Sequence, residues 1–268
     1  MPAPAAHPRT RAKLLARRGH AAPPLVCPLV LAQAAEIEAL PLQRFLTDAT
    51  KLAGGLRTLH EAFGNDVIVT AAGDDLAAAA AGAEPVTAHP RAAAAVEATR
   101  RLAATTDAAM AAALCGPARL AAQLGQAPAD PAALERCGTL LLLLAKAFLD
   151  AGANLLLLVE DEALPAGSGD GWRSAAAPLV NVARFHQAAP AVVLADPADV
   201  GVAPRGSVVC LPPADATGGQ GTALSPDPGA WQAPGPGAPL VTTLGPVRGP
   251  FAEVRAAVGR LTAAIAEV

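Results

Sequence analysis

The chain has 268 residues, 53% of them hydrophobic but only 3% aromatic, with 26 prolines, no tyrosine and a formal net charge of -3. That length suits one large domain with a sizeable core of small aliphatic side chains, and the slightly acidic balance argues against a nucleic-acid surface. The most apolar window, residues 140–159, is broken by Lys146 and Asp150, so it reads as a helix followed by a strand and not as a membrane span.

From the N-terminus, Arg9, Arg11, Lys13, Arg17 and Arg18 precede an apolar stretch, as in the n-region of a signal peptide. Pro23, Pro24 and Pro28 then interrupt that stretch. Residues 1–22 are therefore expected to be a flexible basic tail, not a cleaved signal, ahead of a single domain over residues 23–268. Strand-like apolar runs follow near residues 25–31, 66–70, 108–114, 154–159, 191–195, 207–211, 222–224 and 240–243. Helical patterns fill residues 41–63, 74–81, 90–104, 117–124, 131–151, 172–188 and 250–267, with Asp130-Pro131 as an N-cap and first-turn pair. Near-continuous apolar runs suit strands covered on both faces, and eight such strands predict an α/β fold, a (β/α)8 TIM barrel.

The alternation thins towards the end. PPADATGGQ at residues 212–220 and SPDPGAWQAPGPGAP at residues 225–239 are loops, so the barrel is expected to be reduced in its last third. GGQG at residues 218–221 is a flexible loop and no phosphate motif. Cys27, Cys115, Cys137 and Cys210 are spread singly, which reads as free buried thiols in a reducing, cytoplasmic setting.

Chemistry concentrates at expected strand ends, the face that carries the site in parallel α/β folds. Residues 115–163 begin CGPARLAAQLG and end AGANLLLLVEDEA, placing Glu160, Asp161 and Glu162 at a strand tip. Crowded carboxylates raise at least one pKa, which suits Glu160 and Asp161 to acid/base work. Asp74 and Asp75 follow Ala-Ala-Gly at the second strand end; one suits an N-cap and the other, with Asp74 as the candidate, a catalytic acid. Arg119 in the Gly-Pro helix and Arg248 after the last strand suit an anionic group, and Asp196 ends the fifth strand directly.

Four segments together resemble the uroporphyrinogen decarboxylase superfamily, which includes the decarboxylase and zinc-dependent methylcobalamin:coenzyme M methyltransferases. They are RFLTDATKLAGGLRTLHEAFGNDVIV at residues 44–69, LAAAAAGAEPV at residues 76–86, CGPARLAAQLG and AGANLLLLVEDEA, with a weaker echo in TTLGPV at residues 242–247. The resemblance spans residues 25–265 and implies an α/β barrel of that type. It places Gln33 in the substrate-binding set, inside LAQAAEIEAL, where decarboxylases carry an Arg-Gln-Ala-Gly-Arg motif whose two arginines are absent here. It places Gln123 where a tyrosine stands in the Gly-Pro helix, Gly73 near the family aspartate and Pro246 near a late histidine. The His-x-Cys and later Cys of the zinc-dependent branch fall on VVLADPAD and LGPV, which hold neither residue.

These readings combine into a divergent, cofactor-free and zinc-free member acting on a small anionic molecule by decarboxylase-like (lyase) or methyl-transfer-related acid/base chemistry. Asp74, Glu160 and Asp161 would be its catalytic groups, and Gln33, Arg119, Gln123, Asp196 and Arg248 its substrate contacts. A non-catalytic barrel that partners an active homologue, or a true uroporphyrinogen decarboxylase with replaced site residues, are the alternatives. No nucleic acid and no membrane is expected as a partner; the Ala-rich helix faces leave room for a homodimer or for association with a related barrel protein.

Overall fold

The structure, a computed structural model, describes residues 6–72, 75–235 and 237–266. Its eight strands are β1 (Leu25–Cys27), β2 (Val67–Ala72), β3 (Ala109–Cys115), β4 (Leu155–Glu160), β5 (Ala189–Leu194), β6 (Val208–Leu211), β7 (Gly221–Leu224) and β8 (Leu240–Thr243). All ladders are parallel, in the order β1-β8-β7-β6-β5-β4-β3-β2. β1 and β2 approach each other without a ladder among the described residues, so the cylinder is nearly closed: an α/β (β/α)8 barrel. Among the described residues ten α-helices accompany it: α1 (Pro8–Arg18), α2 (Ala32–Ile37), α3 (Leu42–Phe45), α4 (Ala49–Phe63), α5 (Leu76–Ala80), α6 (Pro90–Thr105), α7 (Pro117–Gln123), α8 (Pro131–Asp150), α9 (Gly169–Phe185) and α10 (Phe251–Ala266).

The strands are buried almost throughout, because side chains on one face fill the lumen and those on the other lie under helices. β3, AMAAALC, is a strand despite four alanines, a strong helix former: it is bounded by Thr-Thr-Asp and Gly-Pro and paired on both sides. Gly221 lies against the Cys210 thiol, where a Cβ would come within 2.5 Å of Sγ. All four cysteines are buried.

Residues 8–18 depart from the expected basic tail. They form α1, begun by Pro8 and ended by Gly19 at φ +64, across the N-terminal ends of the strands. Arg9 donates to the carbonyls of Ala103, Thr106 and Ala108, satisfying the C-terminal turn of α6. Arg11 is buried against Asp66, and Ala12 and Leu15 enter the core. The cations that suggested a solvated tail in fact secure a plug.

The expected helix over residues 41–63 is two helices, because Asp48 accepts hydrogen bonds from the Thr50 and Lys51 amides and so starts α4 anew. The first expected strand, residues 25–31, stops at Cys27, and α2 follows. The ninth helix begins three residues before Trp172, at Gly169, and ends at Phe185. In the last third, the β5–β6 and β7–β8 connections hold only the 3-10 turns Pro197–Val202 and Pro228–Ala230, and β6–β7 holds no helix among the described residues. Trp231 and the Leu261 and Ile265 side chains of α10 cover Val26, Leu224 and Val241 there. Among the described residues, no helix is long and apolar enough to cross a membrane.

Candidate active site

Glu160 ends β4 at the C-terminal mouth and is 3% exposed. Its Oε1 accepts from the Ala118 amide at 2.9 Å and the Trp172 indole at 2.6 Å, and its Oε2 accepts from the Arg119 amide at 3.0 Å. One carboxyl therefore ties β4 to the first turn of α7 and to the first turn of α9. Burial pushes its pKa up to about 7; the three donors oppose that rise and the neighbouring Asp161 charge adds to it.

Gly116 makes this approach feasible. A Cβ there would stand 2.2 Å from Glu160 Oε1 and 2.4 Å from its Cδ, so the carboxyl occupies the volume that any larger residue would need. The Gly-Pro pair thus does two jobs: Pro117 opens α7, and Gly116 admits the acid that receives its amides.

Arg119 presents its guanidinium to Asp161 at 3.2 Å and to Glu162 at 3.0 Å. Asp161 is partly exposed and Glu162 is 81% exposed, so both pairs are surface ion pairs of low strength. Arg119, Glu160 and Glu162 line a common cavity of about 60 Å³ with Ala118, Ala122, Pro128, Ala163 and Pro165.

The other expected site residues take other places. Gln33 is buried and donates to the carbonyls of Val247 and Gly249, stapling the loop after β8 onto α2. Gln123 is partly buried, with the Cys115 thiol 3.7 Å from its Oε1. Asp196 caps the 3-10 turn after β5 by accepting from the Ala198 amide at 2.8 Å. Arg248 is exposed on the loop after β8 and lines none of the cavity beside Glu160. Asp74 lies outside the described residues; Asp75 beside it pairs with Arg91 at 2.8 Å. The structure thus gathers Arg119, Glu160, Asp161 and Glu162, whereas Gln33, Asp196 and Arg248 do not line the cavity beside Glu160.

Trp172 is a site residue that pattern reading missed. Its indole is fully buried against the acid. The usable signal was its rarity: one of two tryptophans, placed just past the acidic strand tip.

A zinc centre like that of the resembled methyltransferases needs three protein ligands. Among the described residues no three of His, Cys, Asp and Glu stand close enough to share an ion, so the side chains present do not fit one.

No protein-family model matches the chain, and no curated protein sequence matches it. Among solved structures, a methyltransferase from Methanosarcina mazei superposes with a TM-score of 0.69 at 13% identity, over 97% of this chain and 98% of that one. At that identity the likeness shows the shared barrel fold.

Proposed function

We propose that the chain is a small-molecule barrel enzyme working at its C-terminal mouth without zinc, with Glu160 as the acid/base group and Arg119 as the anion holder. The observation that carries this reading is Glu160: a buried carboxyl at a barrel strand tip whose pKa, near 7, leaves both protonation states populated at neutral pH. A carboxyl in that state can donate a proton to a carbanion left by decarboxylation, or accept one from a nucleophile in a methyl-transfer-related reaction. The barrel likeness to a methyltransferase supports the methyl-transfer-related reading. Asp161 and Glu162 act as counter-ions to Arg119 in the free protein. Surface pairs contribute about 0–1 kcal/mol each, so a substrate carboxylate can displace them.

Two observations favour a second reading, a non-catalytic barrel. The cavity beside Glu160 is about 60 Å³, whereas ligand pockets span roughly 300–1,000 Å³. Glu160 also already accepts three hydrogen bonds. The enzyme reading therefore requires the Ala163–Pro165 loop to move aside when substrate enters.

Trp172 reports directly on the acid. In a Trp231→Phe background, its emission should titrate near pH 7, and saturable binding of small mono-, di- or tricarboxylates should shift that titration. Arg119→Ala should abolish the shift, and product analysis by mass spectrometry should find carbon dioxide loss or methyl exchange for the binding acid. Titration near pH 7 with no response to any carboxylate would support the non-catalytic reading instead.

A further inference from the structure

The segment between β4 and α9, residues 161–168, covers Glu160 and is tied across the mouth by a carboxylate outside the acid cluster. Ala163 and Pro165 line the cavity of about 60 Å³ beside Glu160. Leu164, between them, packs its partly buried side chain against the core, and its amide donates to Asp199 Oδ2 at 2.9 Å. Two residues thus cap the acid while the one they flank is held from the β5 side.

The holder is itself firmly mounted. Asp199 lies in the 3-10 turn Pro197–Val202, which Asp196 caps through the Ala198 amide. Arg173, in α9, donates to the Gly201 carbonyl of that turn at 2.8 Å. Val202 packs so closely on Gly169 that a Cβ there would come within 3.0 Å of Val202 Cγ1. The connection from β5 to β6 therefore carries a turn fixed to the start of α9. On the α7 side the segment is held only by the surface ion pairs of Asp161 and Glu162 with Arg119, which a substrate anion would displace. At its far end, buried Ser168 donates to the Pro165 carbonyl from its amide at 3.1 Å and its hydroxyl at 2.7 Å, closing a separate turn.

Taking Glu160 as the working acid, we infer that residues 161–165 form a lid over it and that Asp199 is the clasp that holds the lid shut. Once an anion has taken Arg119 from Asp161 and Glu162, the Leu164–Asp199 hydrogen bond is the tie that still spans the mouth. It can break and re-form without disturbing β4 or the turn that carries Asp199. Asp199 is therefore a positioning residue, which sets how often the acid meets solvent and ligand.

Hydrogen exchange of the Trp172 indole, followed by NMR on the full chain, tests this, because that N–H donates to Glu160 from beneath the lid. The Trp231 indole, which donates to the Ser225 carbonyl at 2.7 Å, and the amides of β4 serve as references. In the wild type the Trp172 indole should exchange through openings of lower free energy than those that release the β4 amides. Asp199→Ala should speed it roughly tenfold, as expected for loss of a hydrogen bond to a charged group, with both references and the thermal melt unchanged. Asp199→Asn, whose Oδ1 still accepts from the Leu164 amide, should stay within about threefold of the wild type. A Trp172 indole that exchanges only with the β4 amides, an unchanged rate in Asp199→Ala, or an Asp199→Asn rate as fast as that of Asp199→Ala would overturn the clasp. Exchange measures opening whether or not Glu160 reacts, so a carboxylate screen without a hit would count against the acid/base reading and leave the exchange result standing.

Discussion

Glu160 holds a charge-bearing group in a place that favours the neutral form, and this has a definite sign. Its folded pKa, near 7, stands above the ordinary 4.5. Between those values the unfolded chain has released the proton and the native chain has kept it, so stability falls as pH rises from about 4.5 to 7 and is level above. The full difference is on the order of 3 kcal/mol. Urea unfolding across that range should show the decline in the wild type and a flatter curve in Glu160→Gln; an equal slope in both would assign the decline elsewhere. At pH 5 the amide should also be about 1–3 kcal/mol less stable than wild type, because its NH2 group must face one of the three donors that Glu160 now satisfies. Gly116→Ala probes the same contact from the other side. Its backbone, at φ -74, tolerates alanine, so the expected loss of about 1–3 kcal/mol comes from the clash with the carboxyl alone. Trp172 emission should change in that variant, and an unperturbed spectrum would mean that Glu160 had not been displaced.

Among the elements, α1 carries the clearest consequence. Arg11 is nearly fully buried and pairs with Asp66, which precedes β2, while its Nη1 donates to the Pro23 carbonyl before β1. Removing one partner of a buried pair leaves the other without its counter-charge, so Arg11→Ala should cost roughly 3–5 kcal/mol, against less than about 1 kcal/mol for the exposed Lys13→Ala. Chemical denaturation separates the two, and equal, small effects would mean that α1 is not part of the cooperative unit. This helix also shows where sequence reading met its limit. Its five cations are the mark of a solvated tail, and nothing local in PRTRAKLLARR tells that Arg9 and Arg11 reach carbonyls and a carboxylate distant in the chain. The strands were legible for the opposite reason: each is a short apolar run whose burial is written in its own residues. The acidic tip was legible too, through Gly116-Pro117 and Glu160–Glu162. What could not be read was division of labour within it, because Glu160 is distinguished from Asp161 and Glu162 only by facing inward onto Gly116 and Trp172.

At the scale of the whole barrel, the outer wall is uneven, and local stability should follow it. β2 to β5 share ladders of up to six paired positions, as between β4 and β5, and lie beneath α4, α6, α8 and α9. β6 and β7 are four residues each, and their mutual ladder pairs only Cys210 with Gly221 and Leu211 with Thr222. No α-helix intervenes between β5 and β8 among the described residues, and Val209 is only partly buried. Opening free energy depends on how much apolar surface and how many ladder bonds an opening exposes, and β6–β7 exposes little of either. Gly221, which cannot be enlarged without striking Cys210 and the Leu240 carbonyl, further lowers the side-chain packing of this quarter. Native-state hydrogen exchange should therefore find the amides of β6 and β7 exchanging through openings well below the global unfolding free energy, while those of β3 and β4 exchange only through global unfolding. Uniform protection around the cylinder would show that the lumen, and not the outer helices, sets the cooperativity of this barrel. The expected gradient would place the rigid half of the molecule under Glu160 and Arg119, and the yielding half opposite them.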